Sequence, residues 1–113
     1  MLESVTSTAL TSALAALSLR QSTIASNIAN VNTPNYHAKQ VAFESALAKS
    51  VANGSGSTTA TTTDSLEPTN VNGNNVNLDT ETLANTSTVL RYQFAAQAMN
   101  MPFSAVRAAM KTA

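Results

Sequence analysis

Residues 26–36 of the chain read SNIANVNTPNY, a stretch that decides where the first helix ends and how the chain leaves it. Asparagine side chains bond readily to the free backbone groups at a helix end, and this stretch contains four asparagines. Pro34 fixes the exit direction and biases the preceding residue, Thr33, away from the helical region. The pattern predicts a helix that ends near residues 30–32 and continues into a rigid elbow, with an ordinary capped helix end as the alternative. The predicted elbow residues are Asn27, Asn30, Asn32, Thr33, Pro34 and Tyr36.

The residues before the elbow carry large apolar side chains at alternating steps of four and three, which is the spacing of a coiled-coil seam. Gln21 occupies one seam position and interrupts it with a polar group. Alanines fill the other faces with small side chains of high helix propensity, so several neighbouring helices can approach closely. The sequence therefore predicts a long helix over residues 1–32 with an assembly seam. The seam residues are Leu10, Leu14, Leu17, Ile24, Ile28 and Val31.

The other end of the chain, residues 79–113, carries a second seam of the same kind and predicts a second long helix. A further apolar stripe of Leu83, Leu90, Phe94 and Met101 lies beside that seam. Two apolar stripes are more than one partner helix needs, so they predict packing on more than one side. The residues of the second seam are Val89, Tyr92, Ala96, Met99, Phe103, Val106 and Met110.

Local signals predict where this second helix begins and where it is disturbed. Asp79 is a good N-cap, and the carboxylate of Glu81 in the first turn is favourable against the helix dipole. Pro102 lacks a backbone donor and clashes with the preceding turn. We therefore expect the helix to begin at Asp79 and to kink or break locally at Pro102.

The middle of the chain is short and polar. Residues 33–52 predict the elbow, then an extended segment or hairpin arm over residues 36–43, and then a short helix. Residues 53–78 predict a flexible polar loop with a turn at Asn72-Gly73, because they hold too few apolar side chains to offset the entropy of ordering. The expected fold class is therefore mainly α, with long N- and C-terminal helices packed as a coiled-coil-like pair and a short, mostly irregular middle segment.

The composition of the 113 residues limits both the fold and the class of function. The length suits one domain, but Leu, Ile, Val and Phe make up only about a fifth of the chain, which predicts a thin core that neighbouring molecules complete. Six basic and six acidic side chains give no net charge that would attract nucleic acid. No apolar run reaches the length of a membrane span, and the first residues lack the pattern of a cleaved secretory signal. We expect no nucleic-acid binding, no direct lipid binding, and a protein that is cytoplasmic or exported by another route.

Candidate catalytic and metal-binding residues are sparse. His37 is the only histidine and the chain has no cysteine, so neither a zinc cluster nor a thiol nucleophile is expected. Asn70, Asn72 and Asp79 fall partly on the spacing of a calcium loop, but Pro68 would occupy the first ligand position. Neither a Ser-centred nucleophile elbow nor a glycine-rich phosphate loop is present in the sequence. The sequence predicts no enzyme activity, no cofactor and no metal.

The predicted helices carry few charged residues. Arg20, Arg91 and Arg107 are interpreted as solvating groups or as groups that set the register, because exposed ion pairs contribute little stability. A further hypothesis pairs these arginines with Glu44 or Glu81 of a neighbouring subunit.

Residues 19–47, LRQSTIASNIANVNTPNYHAKQVAFESAL, resemble the signature region of the flagellar rod and hook axial proteins. The core of the resemblance, residues 26–36, is shared by rod, hook and hook-associated proteins. Residues 38–47, AKQVAFESAL, and residues 72–81, NGNNVNLDTE, are similar to the FlgB family of basal-body rod proteins more than to the related FlgC family. The chain departs from the family pattern in its short middle and at Asn72, where the family often has Asp.

The resemblance implies a non-enzymatic structural subunit of the proximal rod, the basal-body drive shaft that transmits torque across the periplasm. Such subunits are exported unfolded by the flagellar type III apparatus, and their terminal helices pack side by side in a tubular helical array. The partners it implies are further copies of the chain, the rod proteins FlgC and FlgF, the rod-base adaptor FliE and the flagellar export gate. The alternative function is a soluble helical adaptor or flagellar export chaperone, which would be stable alone and would stay in the cytoplasm.

Overall fold

The structure is a computed structural model that describes the backbone of residues 2–112 and the side chains of residues 5–100. Its elements follow in the order α1, β1, α2, β2 and α3. They span Leu2–Ala29 (α1), Lys39–Ala42 (β1), Glu44–Ala52 (α2), Thr61–Asp64 (β2) and Leu78–Thr112 (α3). The mainly α fold class is confirmed, since two long terminal helices enclose a short middle of small strands, one short helix and loops.

Helices α1 and α3 pack against each other and set the shape of the molecule. The molecule measures 67 × 27 × 14 Å, with a radius of gyration of 17.8 Å. A compact domain of this length would have a radius of gyration of about 13 Å, so the chain is elongated. Within the described residues, no helix combines the length and the apolar character needed to cross a membrane.

The hydrophobic core is small and lies where α1 meets the middle segment. Ala16 and Leu17 of α1 pack with Val41 of β1 and with Phe43, which directly precedes α2, and all four are buried. The partly buried residues Ala13, Leu47, Ala60 and Ala95 complete the cluster. Every element except β2 therefore contributes to it. Three of these four partly buried residues are alanines, which confirms at the level of packing that the core is thin.

The middle segment is more ordered than its composition predicts. Strand β1 confirms the predicted hairpin arm, and α2 occupies residues 44–52 as predicted. The prediction of a flexible loop over residues 53–78 is wrong for Thr61–Asp64, which form β2 and pair antiparallel with β1. The sequence signal was misleading because the exposed threonines of β2 are stabilised by backbone pairing to β1 rather than by burial of their side chains.

The loop between α2 and β2 packs along α1. Gly56 is buried there, and a Cβ atom at this position would lie 2.6 Å from the backbone oxygen of Val5 and 3.0 Å from the backbone nitrogen of Ala9. The backbone N–H of Thr58 donates to the hydroxyl of Ser12 over 3.3 Å. The positive φ of Gly56, +79°, and this close approach both require glycine.

The start of α3 differs from the prediction. The helix begins at Leu78, and Asn77, rather than Asp79, caps it. The side-chain oxygen of Asn77 accepts hydrogen bonds from the backbone N–H groups of Asp79 and Thr80, at 3.0 and 3.3 Å. Asp79 and Glu81 therefore both lie in the first turn, where their charges favour the helix dipole.

Helix α3 also continues without interruption past Pro102 to Thr112. The prediction was a kink or a local break at Pro102; the break is absent, and the kink stays a prediction. A proline removes a single intrahelical hydrogen bond, and the bonds of neighbouring residues are sufficient to continue the helical backbone.

Candidate functional site

Asn27 occupies the centre of the elbow. It lies in the last turn of α1 and is completely buried. Its side-chain NH2 group donates to the carbonyl oxygen of Lys39 over 2.9 Å, and its side-chain oxygen accepts the N–H of Lys39 over 2.9 Å. The phenol of Tyr36 donates to the same side-chain oxygen over 3.2 Å. The amide of Asn27 thus satisfies both backbone groups of one β1 residue, as a neighbouring strand would.

Asn30 ends α1 as predicted. Its backbone N–H and its side-chain NH2 group both donate to the carbonyl oxygen of Ser26, over 3.1 and 2.8 Å. The hydroxyl of Thr33 donates to the side-chain oxygen of Asn30 over 3.0 Å. Asn35 then adopts a positive φ of 61°, which asparagine tolerates better than most residues. Among the other predicted elbow residues, Asn32 and Pro34 are exposed and Tyr36 is half-buried.

Asn74 holds the elbow turn from the opposite side. It is 1% exposed, and its side-chain NH2 group donates to the carbonyl oxygens of Asn30 and Thr33 over 2.9 and 2.8 Å. Its side-chain oxygen accepts the N–H of Val76 over 2.8 Å. One side chain therefore bonds two backbone carbonyl groups at the end of α1, and it ties them to the segment leading into α3.

Asn75 joins that segment to the start of β1. Its side-chain oxygen accepts the N–H of Ala38 over 2.7 Å. Its NH2 group donates to the carbonyl oxygens of Ser65 and Glu67, over 3.2 and 3.0 Å. We call Asn27, Asn74 and Asn75 the asparagine hub. Every polar side-chain group of the hub is hydrogen-bonded, which is the condition for burying amides without a large cost in stability.

Sequence reasoning predicted Asn27 and missed the other two hub residues. The predicted turn at Asn72-Gly73 is present, and Gly73 has a φ of +83°. A Cβ atom on Gly73 would collide with the side chain of Asn35, so the turn packs directly on the elbow. Two asparagines directly after a turn in the sequence were the available signal. Their partners in the elbow and beside β1, however, are 37 to 44 residues away in the chain.

A second polar group, the Glu44 clamp, consists of Arg20, Glu44 and Arg91 and joins α1, α2 and α3. Arg20 contacts Glu44 through both carboxylate oxygens, over 2.7 and 2.8 Å, and also donates to the carbonyl oxygen of Val41 over 2.7 Å. Arg91 donates to Glu44 over 2.9 Å. The Arg20 guanidinium lies over the Phe43 ring, 4.9 Å from its centre.

The Glu44 clamp bears on one prediction. Arg20 and Arg91 pair with Glu44 of the same chain, and the hypothesis that these arginines pair with an acidic residue of a neighbouring subunit stays a prediction. Their sequence separations of 24 and 47 residues concealed the contact. Glu81 is nearly buried at 8% exposure and forms no ion pair with the described residues, and the side chain of Arg107 lies outside them. The pKa of Glu44 is lowered from 4.5 to about 2, chiefly by its hydrogen bonds to Arg20 and against the effect of burial.

The side chains of the two predicted seams are only partly buried within the chain. In the first seam, Leu17 and Ile24 are buried, Leu10, Leu14 and Val31 are half-buried, and Ile28 is 37% exposed. In the second seam, Val89, Ala96 and Met99 are half-buried and Tyr92 is 39% exposed. The side chains of Phe103, Val106 and Met110 lie outside the described residues.

Three large apolar side chains of α3 point away from α1. Leu83 is 72% exposed, Leu90 is 54% exposed and Phe94 is 74% exposed. Their spacing of seven and four residues places them on one side of the helix, which we call the outward face of α3. The face is apolar and has a polar border, which includes the uncharged Thr86 and Gln93 and the charged, exposed Arg91. Such a face can bind another apolar surface.

The described residues offer little for metal binding. No group of three or more His, Asp or Glu residues within them is placed to hold a metal ion. His37, the residue considered for a metal role, is exposed beside the elbow.

Comparison with known proteins identifies one similar group. The sequence profile of a family described as "Flagella basal body rod protein" matches residues 8–37. The flagellar basal body rod protein FlgB of Borrelia hermsii is 57% identical over 37 residues, and FlgB of Borreliella burgdorferi is 54% identical over 37 residues. Each match covers 33% of this chain and 27% of the relative. The profile match therefore covers most of α1 and the elbow as far as His37.

The elbow should depend on Asn27 for stability. We expect Asn27→Ala to lower the free energy of unfolding by about 3 kcal/mol, because it leaves the partly buried N–H and C=O of Lys39 without partners. Asn32→Ala is the matched control in the same motif, and it should change stability by less than about 0.5 kcal/mol because Asn32 is exposed. Urea unfolding followed by circular dichroism measures both. Equal effects of the two substitutions would contradict the role assigned to Asn27.

The Glu44 clamp predicts a dependence of stability on acid. The pKa of Glu44 is about 2 in the folded protein and 4.5 ordinarily. The ionised carboxylate therefore contributes fully to the stability of the fold above pH 4.5, and this contribution is lost as the pH falls toward 2. The free energy of unfolding should therefore fall as the pH is lowered over this range. Glu44→Gln should reduce the slope of the free energy of unfolding against pH. Glu67→Gln, at an exposed loop position, is the control and should keep the wild-type slope. A Glu44→Gln protein with the same slope as the wild type would refute the assignment.

Proposed function

We propose that the chain is a structural subunit of the bacterial flagellar rod, located in the flagellar basal body. The observation that carries the proposal is the similarity of residues 8–37 to flagellar basal body rod proteins. That segment holds Asn27 and Asn30, which end α1 and brace β1. The similarity therefore falls on the residues that build the elbow.

The architecture of the chain supports a role in assembly. The molecule is elongated, its core is thin, and the outward face of α3 exposes two leucines and a phenylalanine. A subunit of this kind completes its packing against neighbours. Contacts between different faces of identical subunits that do not close into a ring produce a helical tube, the form that a rod requires. The outward face of α3 and the exposed parts of both predicted seams are the proposed contact surfaces.

The elbow gives such a subunit a defined internal angle. The asparagine hub and the Glu44 clamp fix α1, the strand pair and the start of α3 relative to one another. A subunit that transmits torque must resist bending at its joints, and a network of fully satisfied buried hydrogen bonds is rigid. The proposed role of the chain is therefore mechanical and not catalytic.

The more specific parts of the proposal concern partners and export. We infer association with further copies of the chain, with FlgC, FlgF and FliE, and with the flagellar export gate, on the basis of the family resemblance. Export through the flagellar type III apparatus requires an unfolded chain. A thin core and a polar elbow support export in an unfolded state, because unfolding such a chain exposes little apolar surface.

The outward face of α3 provides the test of this function. In a strain that lacks the gene, the wild-type chain should restore motility and complete basal bodies, whereas a chain with Leu90→Asp and Phe94→Asp should restore neither. Both positions are exposed in the isolated chain, so the double variant should keep the circular dichroism spectrum and thermal midpoint of the wild type.

The matched control carries Thr86→Asp and Gln93→Asp, which add the same charge at exposed polar positions of the same helix. It should support motility. If the deletion strain still builds complete rods, the chain is not an essential rod subunit, and the adaptor or chaperone function becomes the better account. If the Leu90→Asp, Phe94→Asp chain restores motility fully, the outward face is not an assembly surface.

A further inference from the structure

The chain contains two Asn-Gly sequences in very different surroundings. Asn53-Gly54 follows the end of α2, and Asn72-Gly73 forms the turn beside the elbow. Asparagine before glycine is the sequence most prone to spontaneous loss of the side-chain amide, because glycine has no Cβ to shield its nitrogen and its backbone rotates freely. Whether the reaction proceeds in a folded protein depends on the freedom of the two residues to move.

We propose that Asn53 is a site of spontaneous deamidation in the folded protein, and that the elbow protects Asn72. In the reaction the backbone nitrogen of the glycine loses its proton and attacks the side-chain carbonyl carbon of the asparagine. A carbon–nitrogen bond forms to close a five-membered succinimide, the bond to the side-chain nitrogen breaks, and ammonia leaves. Water then opens the ring at either carbonyl, which gives aspartate or isoaspartate.

The surroundings of Asn53 leave it free to react. Asn53 and Gly54 are both exposed, and nothing lies within 4 Å of a Cβ atom built on Gly54. The backbone N–H groups of Asn53 and Gly54 donate to Lys49 and Val51 in the last turn of α2. The N–H groups of Ser55 and Gly56 also donate to the carbonyl oxygen of Ser50, over 3.0 and 3.2 Å. Helix α2 has nine residues, none of them buried, and the side chain of Asn53 has no hydrogen bond to any described residue, so the last turn of the helix opens at lower cost than the turn at Asn72-Gly73. Once it opens, the nitrogen of Gly54 can reach the side chain of Asn53.

Asn72 is restrained by four hydrogen bonds around the turn. Its side-chain oxygen accepts the N–H of Asn74 over 3.1 Å, and its backbone oxygen accepts the N–H of Asn35 over 2.9 Å. The N–H of Gly73 donates to Asn70 over 2.9 Å, and the N–H of Asn70 donates to Asn74 over 2.7 Å. Attack by Gly73 would require the turn to leave the asparagine hub, and this opening amounts to unfolding the elbow.

Deamidation of Asn53 would also change α2. Aspartate or isoaspartate places a negative charge at the C-terminal end of the helix, where it is unfavourable against the helix dipole. The modified residue also begins the segment that leads to Gly56 and its packing on α1. The inference concerns the chemistry of the folded chain and does not depend on the proposed function.

The test uses the full-length protein in mildly alkaline buffer at physiological temperature, with peptide mapping by mass spectrometry over time. We expect aspartate and isoaspartate to form at residue 53 at least about tenfold faster than at residue 72. Of the two sequences, only the Asn72-Gly73 turn must open widely, together with the elbow, before it can react. In concentrated urea the two rates should converge, because both sequences are then equally free. Asn53→Gln should remove the product at residue 53 and leave the rate at Asn72 unchanged.

A second variant tests the source of the protection. Asn74→Ala removes the bonds from the hub to the elbow turn and should raise the rate at Asn72 toward the rate at Asn53. Equal rates at the two positions in the native wild-type protein, or faster reaction at Asn72, would overturn the proposal. A difference between the two positions that persists unchanged in urea would also overturn it, because the selectivity would then not come from the fold.

Discussion

The pair of hydrogen bonds between the side chain of Asn27 and the backbone of Lys39 is the contact on which the rest of the elbow depends. Strand β1 pairs on one edge with β2 and faces the end of α1 on the other. A backbone edge packed against a helix needs donors and acceptors that the helix backbone cannot supply, because that backbone is already bonded to itself. A side-chain amide carries one donor group and one acceptor in the spacing of a peptide, and Asn27 supplies both at the residue where β1 begins.

Polar contacts do much of the positioning that apolar packing does in other small domains. The apolar core centres on four buried residues, whereas the asparagine hub and the Glu44 clamp connect α1, β1, α2 and α3. Burying amides is neutral or favourable only when all of their groups are bonded, so the hub specifies one arrangement and tolerates few others. This combination gives the chain a definite shape and leaves large apolar side chains of α3 exposed, as the proposed role of a rod subunit requires.

The sequence was informative wherever a signal was local. The end of α1 near Asn30, the bounds of α2 and the turn at Gly73 all follow from residue types next to one another, and the structure contains each of them. The cap of α3 was misplaced by two residues because Asn77 and Asp79 are both good capping residues. Of the kink or break predicted at Pro102, the break is absent, because the loss of one hydrogen bond does not interrupt a helix of 35 residues.

Contacts between distant parts of the chain could not be predicted from periodicity. Asn74 and Asn75 reach back to the elbow and β1, and Glu44 joins two arginines on different helices. Strand β2 is made of threonines and an aspartate, and although threonine favours strands, no residue of β2 is buried, so its alternation gives no apolar face that would mark it as a strand. Both apolar stripes of α3 were visible in the sequence, but only the fold shows that Leu83, Leu90 and Phe94 point away from α1.

Native-state hydrogen exchange measured by NMR tests most directly whether side-chain amides hold the elbow. The decisive groups are the backbone N–H of Lys39, bonded to Asn27, and the backbone N–H of Ala38, bonded to Asn75. The structure predicts that both exchange as slowly as the N–H groups in the middle of α1 near Leu17, because each can open only when the elbow unfolds. Exchange of these two groups at the rate of a freely exposed peptide, while the α1 groups remain protected, would contradict this account.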